Sequence, residues 1–171
     1  MTALEPVAAI LDGHAIAYAL IGAAALAARG VVRSTLDIDL LTTDRRAFES
    51  SLWAPLTAHV DIRVGDADDP LAGVIRIAAD DEDRVVDIVV GKHQWQTRAV
   101  SRAEQLADGR RVVLARDLIL LKLYAGGAQD FWDVRELLKH SDASLAGEVE
   151  SDVAEMPAEF HRRWQLIATD L

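Results

Sequence analysis

Two closely spaced aspartates give this chain its clearest potential for chemistry. Asp37 and Asp39 flank Ile38 within a short apolar segment. On an extended strand alternate side chains share a face, so both carboxylates lie on one face with Cα atoms about 7 Å apart. Oxygen ligands at that spacing could hold one hard divalent cation, or a pair of cations about 3.5–4 Å apart. The segment therefore predicts a strand that carries a metal site.

A third carboxylate is expected from a neighbouring strand, and two aspartates have the same local sequence, Val-Asp-Ile. These are Asp61 and Asp87. Asp87 lies in the more aliphatic run, where an unpaired carboxylate is costly to bury, so it requires a partner such as a cation. Asp61 is followed by Arg63 on its own face and could simply pair with it. Asp87 is therefore favoured as the third ligand, and an ion pair with an arginine such as Arg76 is the structural alternative.

Cationic and small residues add features suited to phosphate. Lys122 lies in a run that is apolar nearly all round, so its ammonium group either reaches water or points towards anionic groups. Arg33 and Thr35 precede the carboxylate strand, and arginine suits bidentate phosphate contacts. Gly22 forms a turn into a helix whose free N–H groups favour a phosphate. Together these residues predict a site for a metal-bound triphosphate, although loop capping and a plain turn explain them individually.

The elements that position these residues follow from hydrophobic periodicity and turn residues. We predict an α/β (α+β) fold, with a small mixed β-sheet flanked by helices in residues 1–98. A mainly helical region, residues 99–171, closes the cleft. Strands are predicted at 18–21, 36–41, 59–64, 73–78, 84–90 and 111–114, and helices at 6–16, 23–29, 45–53, 144–154, 157–169 and in the segment from 116 onward.

Composition restricts the class of protein. The chain has 171 residues, which favours one domain, and no cysteine, which excludes disulfides, zinc–thiolate sites and cysteine nucleophiles. The net charge of −10 argues against a general nucleic-acid coat, yet residues 84–122 hold eight bases against four acids and could meet a polyanion. The amino terminus lacks a basic region, and no apolar run has the length of a membrane span. We therefore expect a cytoplasmic protein without membrane association.

The order of these motifs resembles that of the nucleotidyltransferase superfamily with a polymerase-β-like core. Residues 117–134 narrow the resemblance to the AbiEii-type branch, which includes toxins of toxin–antitoxin systems. The resemblance covers roughly residues 18–138. The residues that carry it are Gly22, Ala23, Arg33, Thr35, Asp37, Asp39, Asp87, Lys122, Asp130 and Asp133.

This resemblance implies transfer of a nucleoside monophosphate from an NTP to an acceptor hydroxyl. Asp37 and Asp39 would hold Mg²⁺ or Mn²⁺ on the triphosphate, and Asp87 would complete the acceptor-side metal site. Lys122 would contact the phosphates, and Asp130 would orient Lys122 or the substrate. The two-metal arrangement stabilises both the attacking and the leaving oxygen.

The acceptor is left open by the resemblance. The leading hypothesis is a toxin-like enzyme that acts on RNA and has a cognate antitoxin protein. A protein hydroxyl or a small molecule of the antibiotic-resistance type fits the same core. Ala23 stands where the family usually has serine or glycine, so a serine hydroxyl is missing, and basic residues are absent at Gly127 and Gln129. A catalytically weak or inactive nucleotide-binding or antitoxin-like module is therefore the alternative.

Overall fold

The computed structural model describes residues 4–33, 37–79 and 85–169, so Thr35 of the predicted site lies outside the described residues. Within that part, the strands form one seven-stranded sheet with the order β3-β4-β5-β2-β1-β7-β6. The β1–β7 and β2–β5 pairs are parallel and the other pairs are antiparallel. The strands are β1 (Tyr18–Leu20), β2 (Ile38–Thr42), β3 (Ala58–Val64), β4 (Gly73–Ala79), β5 (Val85–Val90), β6 (Glu104–Gln105) and β7 (Arg111–Val112).

Seven α-helices accompany this sheet in the described residues, which confirms the predicted mixed α/β fold. None of these helices is long and apolar enough to cross a membrane. The helices are α1 (Leu4–Gly13), α2 (Gly22–Ala28), α3 (Gln94–Ser101), α4 (Ala115–Ala125), α5 (Ala128–Lys139), α6 (Ser144–Ala154) and α7 (Ala158–Ala168).

Two local predictions differ from the structure. The predicted helix at 45–53 is instead two 3₁₀ helices, Arg45–Phe48 and Ser50–Trp53, because Glu49 between them has an extended backbone. Helix α3 was not predicted. It is started by the buried Gln96, whose side-chain oxygen accepts the backbone N–H groups of Lys92 and His93. A glutamine at the third helical position is a recognised start signal.

The central strands separate an apolar face from a charged one. On β5, Val86, Ile88 and Val90 are buried, whereas the intervening residues are partly exposed. In the ladder with β4, Ile75 pairs with Ile88 and Ile77 pairs with Val86, so the buried faces of the two strands coincide. This alternation fixes the register, because a one-residue shift would expose the apolar set. Asp87 consequently lies on the opposite, charged face.

The chain divides into two compact units. The first comprises Met1–Ala24 and Ser34–Val113 and contains the sheet, and the second comprises Ala25–Arg33 and Leu114–Leu171. In the second unit, α4 is buried nearly all round and ends at Gly126, which has a left-handed backbone with φ 72°. Arg163 on α7 donates to the last carbonyls of α4, those of Leu123 and Tyr124, at 2.5 and 2.6 Å. The predicted boundary between an α/β core of residues 1–98 and a mainly helical region of residues 99–171 stays a prediction.

Candidate active site

Carboxylates from two neighbouring strands lie side by side in the first unit. In the parallel β2–β5 ladder, Asp39 is the register partner of Asp87. Paired positions in a ladder direct their side chains to the same face, so both carboxylates lie on the charged face. Asp37 precedes β2 by one residue, and its charge acts on Asp87. The structure therefore brings together the three aspartates that the sequence singles out.

Gly22 packs against one of these carboxylates. Its φ is +59°, a left-handed conformation that L side chains rarely adopt. A Cβ built on Gly22 would overlap the Oδ2 atom of Asp39. The neighbouring Ile21 N–H donates to the Asp39 carbonyl at 2.9 Å, which fixes the turn against β2. The turn thus requires glycine for two independent reasons, backbone conformation and the nearness of Asp39.

Asp87 has a cationic partner on the next strand. Arg76 on β4 is its register partner, and the arginine Nη1 atom lies 3.0 Å from Oδ2 and 3.4 Å from Oδ1. Burial raises the pKa of Asp87, Arg76 lowers it, and the nearby charge of Asp37 raises it, with a net increase above the ordinary value. Arg76 therefore compensates only part of the cost of ionising Asp87 here. A carboxylate with a raised pKa in a concave site is typical of functional positions.

The charged row extends to a fourth strand and lines a cavity. Asp61 on β3 is the register partner of Arg76, and it accepts a hydrogen bond from Arg63 Nε at 3.0 Å, the pairing that its position in the sequence suggested. The cavity has a volume of about 680 Å³. Its lining includes Asp39, Asp61, Arg63, Asp69, Arg76 and Asp87. Four carboxylates against two guanidinium groups make the lining acidic.

The donor chemistry of this face suits a divalent cation. Asp37, Asp39 and Asp87 offer only oxygen ligands, which Mg²⁺ prefers. Among residues 4–33, 37–79 and 85–169, no group of three or more His, Cys, Asp or Glu side chains is arranged as a metal cage. Asp87 is instead held by Arg76. The residues fit the cation by type and by shared face, and their assignment as metal ligands stays a prediction.

Lys122 lies at the centre of an ionic cluster in the second unit. Its ammonium nitrogen is 2.9 Å from Asp130 Oδ1 and 2.8 Å from Asp133 Oδ2. Arg33 Nη1 contacts the same Asp133 oxygen at 3.0 Å, and Gln129 Nε2 donates to the other oxygen at 3.2 Å. Burial lowers the pKa of Lys122, but hydrogen bonds to Asp133 and Asp130 more than offset it, so the pKa is raised. Lys122 therefore stays charged.

This cluster shows what the predicted phosphate residues contact within their own unit. Arg33 and Lys122 both bind Asp133, whose side chain is fully buried. Asp130 accepts a hydrogen bond from Lys122, and its other oxygen accepts one from the Gly127 N–H at 3.0 Å. Its role in orienting Lys122 or the substrate stays a prediction. Sequence reasoning overlooked the central role of Asp133. The available signal was its position on the buried face of α5, where an aspartate requires cationic partners.

Comparisons with known proteins place the fold. No family model and no curated protein matches the chain. The solution structure of the antibiotic-resistance factor ANT(2'')-Ia matches with a TM-score of 0.59 and 18% identity, over 98% of this chain and 94% of that chain. JHP933 from Helicobacter pylori matches with a TM-score of 0.47 and 19% identity, over 96% of this chain and 90% of that chain. A crystal structure of ANT(2'')-Ia in complex with adenylyl-2''-tobramycin matches with a TM-score of 0.46 and 17% identity, over 98% of this chain and 86% of that chain. The first match supports a nucleotidyltransferase-type fold.

Proposed function

We propose that this chain is a nucleotidyltransferase that moves a nucleoside monophosphate from an NTP to a hydroxyl group of a small molecule. The observation that carries the proposal is the common face shared by Asp39 and its register partner Asp87, beside Asp37, at the wall of a cavity. The pairing of Asp39 with Asp87 unites two carboxylates that are distant in the sequence. It supports the transfer chemistry that the sequence motifs imply.

The cavity favours a small acceptor over RNA. Its volume of about 680 Å³ falls within the range of about 300–1,000 Å³ that is typical of small-ligand pockets. Its acidic lining would repel the phosphates of an RNA acceptor and attract a neutral or cationic polyhydroxylated molecule. The fold is also similar to that of an antibiotic-resistance factor.

Each carboxylate has a distinct part in the proposed reaction. Asp37 and Asp39 would hold Mg²⁺ or Mn²⁺, which when bound neutralises charge on the triphosphate, and Asp87 would complete the acceptor-side metal site. An oxygen of Asp87 would accept the proton of the acceptor hydroxyl, a task for which a raised pKa is suited. The acceptor oxygen would form a bond to the α-phosphorus while the bond to the pyrophosphate oxygen breaks.

The phosphates would be bound mainly by backbone groups at the Gly22–Ala23 turn, since Ala23 offers no hydroxyl. Gly22 also keeps the Asp39 carboxylate close to this turn. Contacts with the nucleotide stay predictions from the sequence for Arg33, Thr35, Lys122 and Asp130. A toxin–antitoxin role and an antitoxin partner likewise stay predictions from the sequence.

A transfer assay tests the proposal. The protein would be incubated with each α-labelled NTP, Mg²⁺ or Mn²⁺, and separate pools of neutral or cationic polyhydroxylated small molecules, RNA and protein. We expect label in the small-molecule pool together with released pyrophosphate. Asp39→Asn and Asp87→Asn should lower the rate by at least about 100-fold. Asp108→Asn, an exposed aspartate paired with Arg110, is the matched control and should keep the wild-type rate.

Two results would contradict the proposal. If no pool acquires label with any NTP, the chain is not a nucleotidyltransferase under these conditions and the binding-module alternative is favoured. If RNA alone acquires label, the chemistry stands but the small-molecule acceptor is wrong.

A further inference from the structure

A row of charged side chains, three carboxylates and one guanidinium group, crosses four strands of the sheet. Each member pairs in register with the next on the neighbouring strand, in the order Asp61 on β3, Arg76 on β4, Asp87 on β5 and Asp39 on β2. Arg76 therefore faces a carboxylate on each neighbouring strand, and its contact with Asp87 involves both carboxylate oxygens. In this arrangement Arg76 holds the carboxylate that the proposed function assigns to the acceptor side.

We propose that Arg76 is a positioning residue that acts as the internal counter-ion of Asp87 and competes with a divalent cation for it. The inference rests on the proposed function, because that function places a cation at the carboxylate face. The guanidinium group and a cation would use the same oxygens of Asp87, and their positive charges would repel each other. Arg76 must therefore release Asp87 before the cation can be bound by it.

The exposure of the pair makes this exchange feasible. The Arg76 side chain is 52% exposed, and that of Asp87 is 18% exposed. A half-exposed ion pair contributes little net free energy, so a divalent cation can displace it. The long arginine side chain can turn towards solvent or towards Asp61, its partner on the other side. Arg76 thus shields Asp87 in the metal-free protein without blocking it permanently.

The burial of Asp87 explains why such a counter-ion is useful. Asp87 lies in an aliphatic strand, and Asp37 adds a like charge nearby. Without a cation of some kind, an ionised carboxylate at this position carries a desolvation cost. Arg76 reduces that cost before metal is bound, and the metal takes over the same task afterwards.

Direct metal titration tests this proposal without any turnover. Mn²⁺ binding would be measured by calorimetry on the full chain for the wild type, Arg76→Met and Arg76→Lys. Arg76→Met should bind Mn²⁺ about three- to fivefold more tightly, the upper part of the change expected from losing a competing exposed ion pair. Arg76→Lys keeps the charge and should remain closer to the wild type. The matched control is Arg63→Met. Arg63 lines the same cavity but pairs with Asp61 and not with Asp87, so its loss should leave the Mn²⁺ affinity within about twofold of the wild type.

The outcomes separate this inference from the proposed function. If the wild type binds Mn²⁺ and Arg76→Met binds it equally or more weakly, the counter-ion role is wrong and the proposed function stands. If neither protein binds Mn²⁺, both the metal site and the counter-ion role fail. Should Arg76→Met not fold, nitrogen NMR of the wild-type Arg76 guanidinium replaces it. Addition of Mg²⁺ should then speed the exchange of its protons with water, and unchanged exchange would overturn the inference.

Discussion

Replacing Asp133 with alanine should destabilise the second unit strongly. The Asp133 side chain is fully buried and binds both Lys122 and Arg33. Its removal leaves two positive charges and the donor of Gln129 around a site without its central acceptor. Removing one member of a buried ionic group is far more costly than the group's net contribution, because the remaining charge stays desolvated.

The exposure of each partner sets the size of the effect. A broken buried pair costs about 3–5 kcal/mol. Arg33 is 38% exposed and can be rehydrated, whereas Lys122 is only 13% exposed and keeps Asp130 as a second partner. We therefore expect Asp133→Ala to lower the free energy of unfolding by about 3 kcal/mol, the lower end of that range.

Urea unfolding measures this loss. Trp132 and Trp164 lie on α5 and α7 of the unit that contains the cluster, whereas Trp53 and Trp95 lie in the first unit. Tryptophan fluorescence together with circular dichroism therefore follows the unfolding of both units. Asp130→Ala is the comparison variant, since Lys122 then keeps Asp133 as a partner. It should lower the free energy of unfolding by about 1–2 kcal/mol, because it removes one hydrogen bond to Lys122 and the one from the Gly127 N–H at the start of α5. Added salt should change the Asp133→Ala effect little, because buried charges are poorly screened.

A double variant checks the electrostatic reasoning. Lys122→Met combined with Asp133→Leu removes a cation and the buried anion together, and apolar replacements of a buried ion pair are often neutral. The double variant should be more stable than Asp133→Ala alone. The reasoning is wrong if Asp133→Ala costs less than about 1 kcal/mol, the scale of an exposed pair, or if the double variant is the least stable of the set.

Much of the sheet was predictable because its strands alternate between apolar and polar residues. Asp87 interrupts an aliphatic run, and Asp37 and Asp39 interrupt a short apolar segment at a spacing of two, and these interruptions identified all three carboxylates. The order of the strands was not predictable. The parallel pairing of β2 with β5, which brings Asp39 and Asp87 together, joins segments that are almost fifty residues apart in the chain.

The partners of the charged residues were harder to predict than the residues themselves. Arg76 was recognised as one possible partner of Asp87, but the local sequence does not reveal the β4–β5 register that pairs them. Arg33 was assigned to phosphate, and its contact with Asp133 joins residues one hundred positions apart. Local patterns indicate that a buried charge needs a partner, whereas its identity depends on tertiary packing.

Two further predictions concern the carboxylate face itself. Gly22→Ala should lower the free energy of unfolding by about 1–3 kcal/mol because alanine is strained at φ +59° and would overlap Asp39. Gly147→Ala is the control, since a Cβ there meets nothing within 4 Å, and a loss of equal size in both would refute the argument. Asp87→Asn should instead stabilise the protein at pH 7. The pKa of Asp87 is raised in the folded state, so its ionised form opposes folding above that pKa, and the cost vanishes once the pH falls below the ordinary value of 3.8. Thermal unfolding of both proteins from pH 3 to pH 7 should therefore show an advantage of Asp87→Asn that shrinks as the pH falls; a variant less stable than the wild type at pH 7 would show that the ion pair with Arg76 outweighs the burial of Asp87.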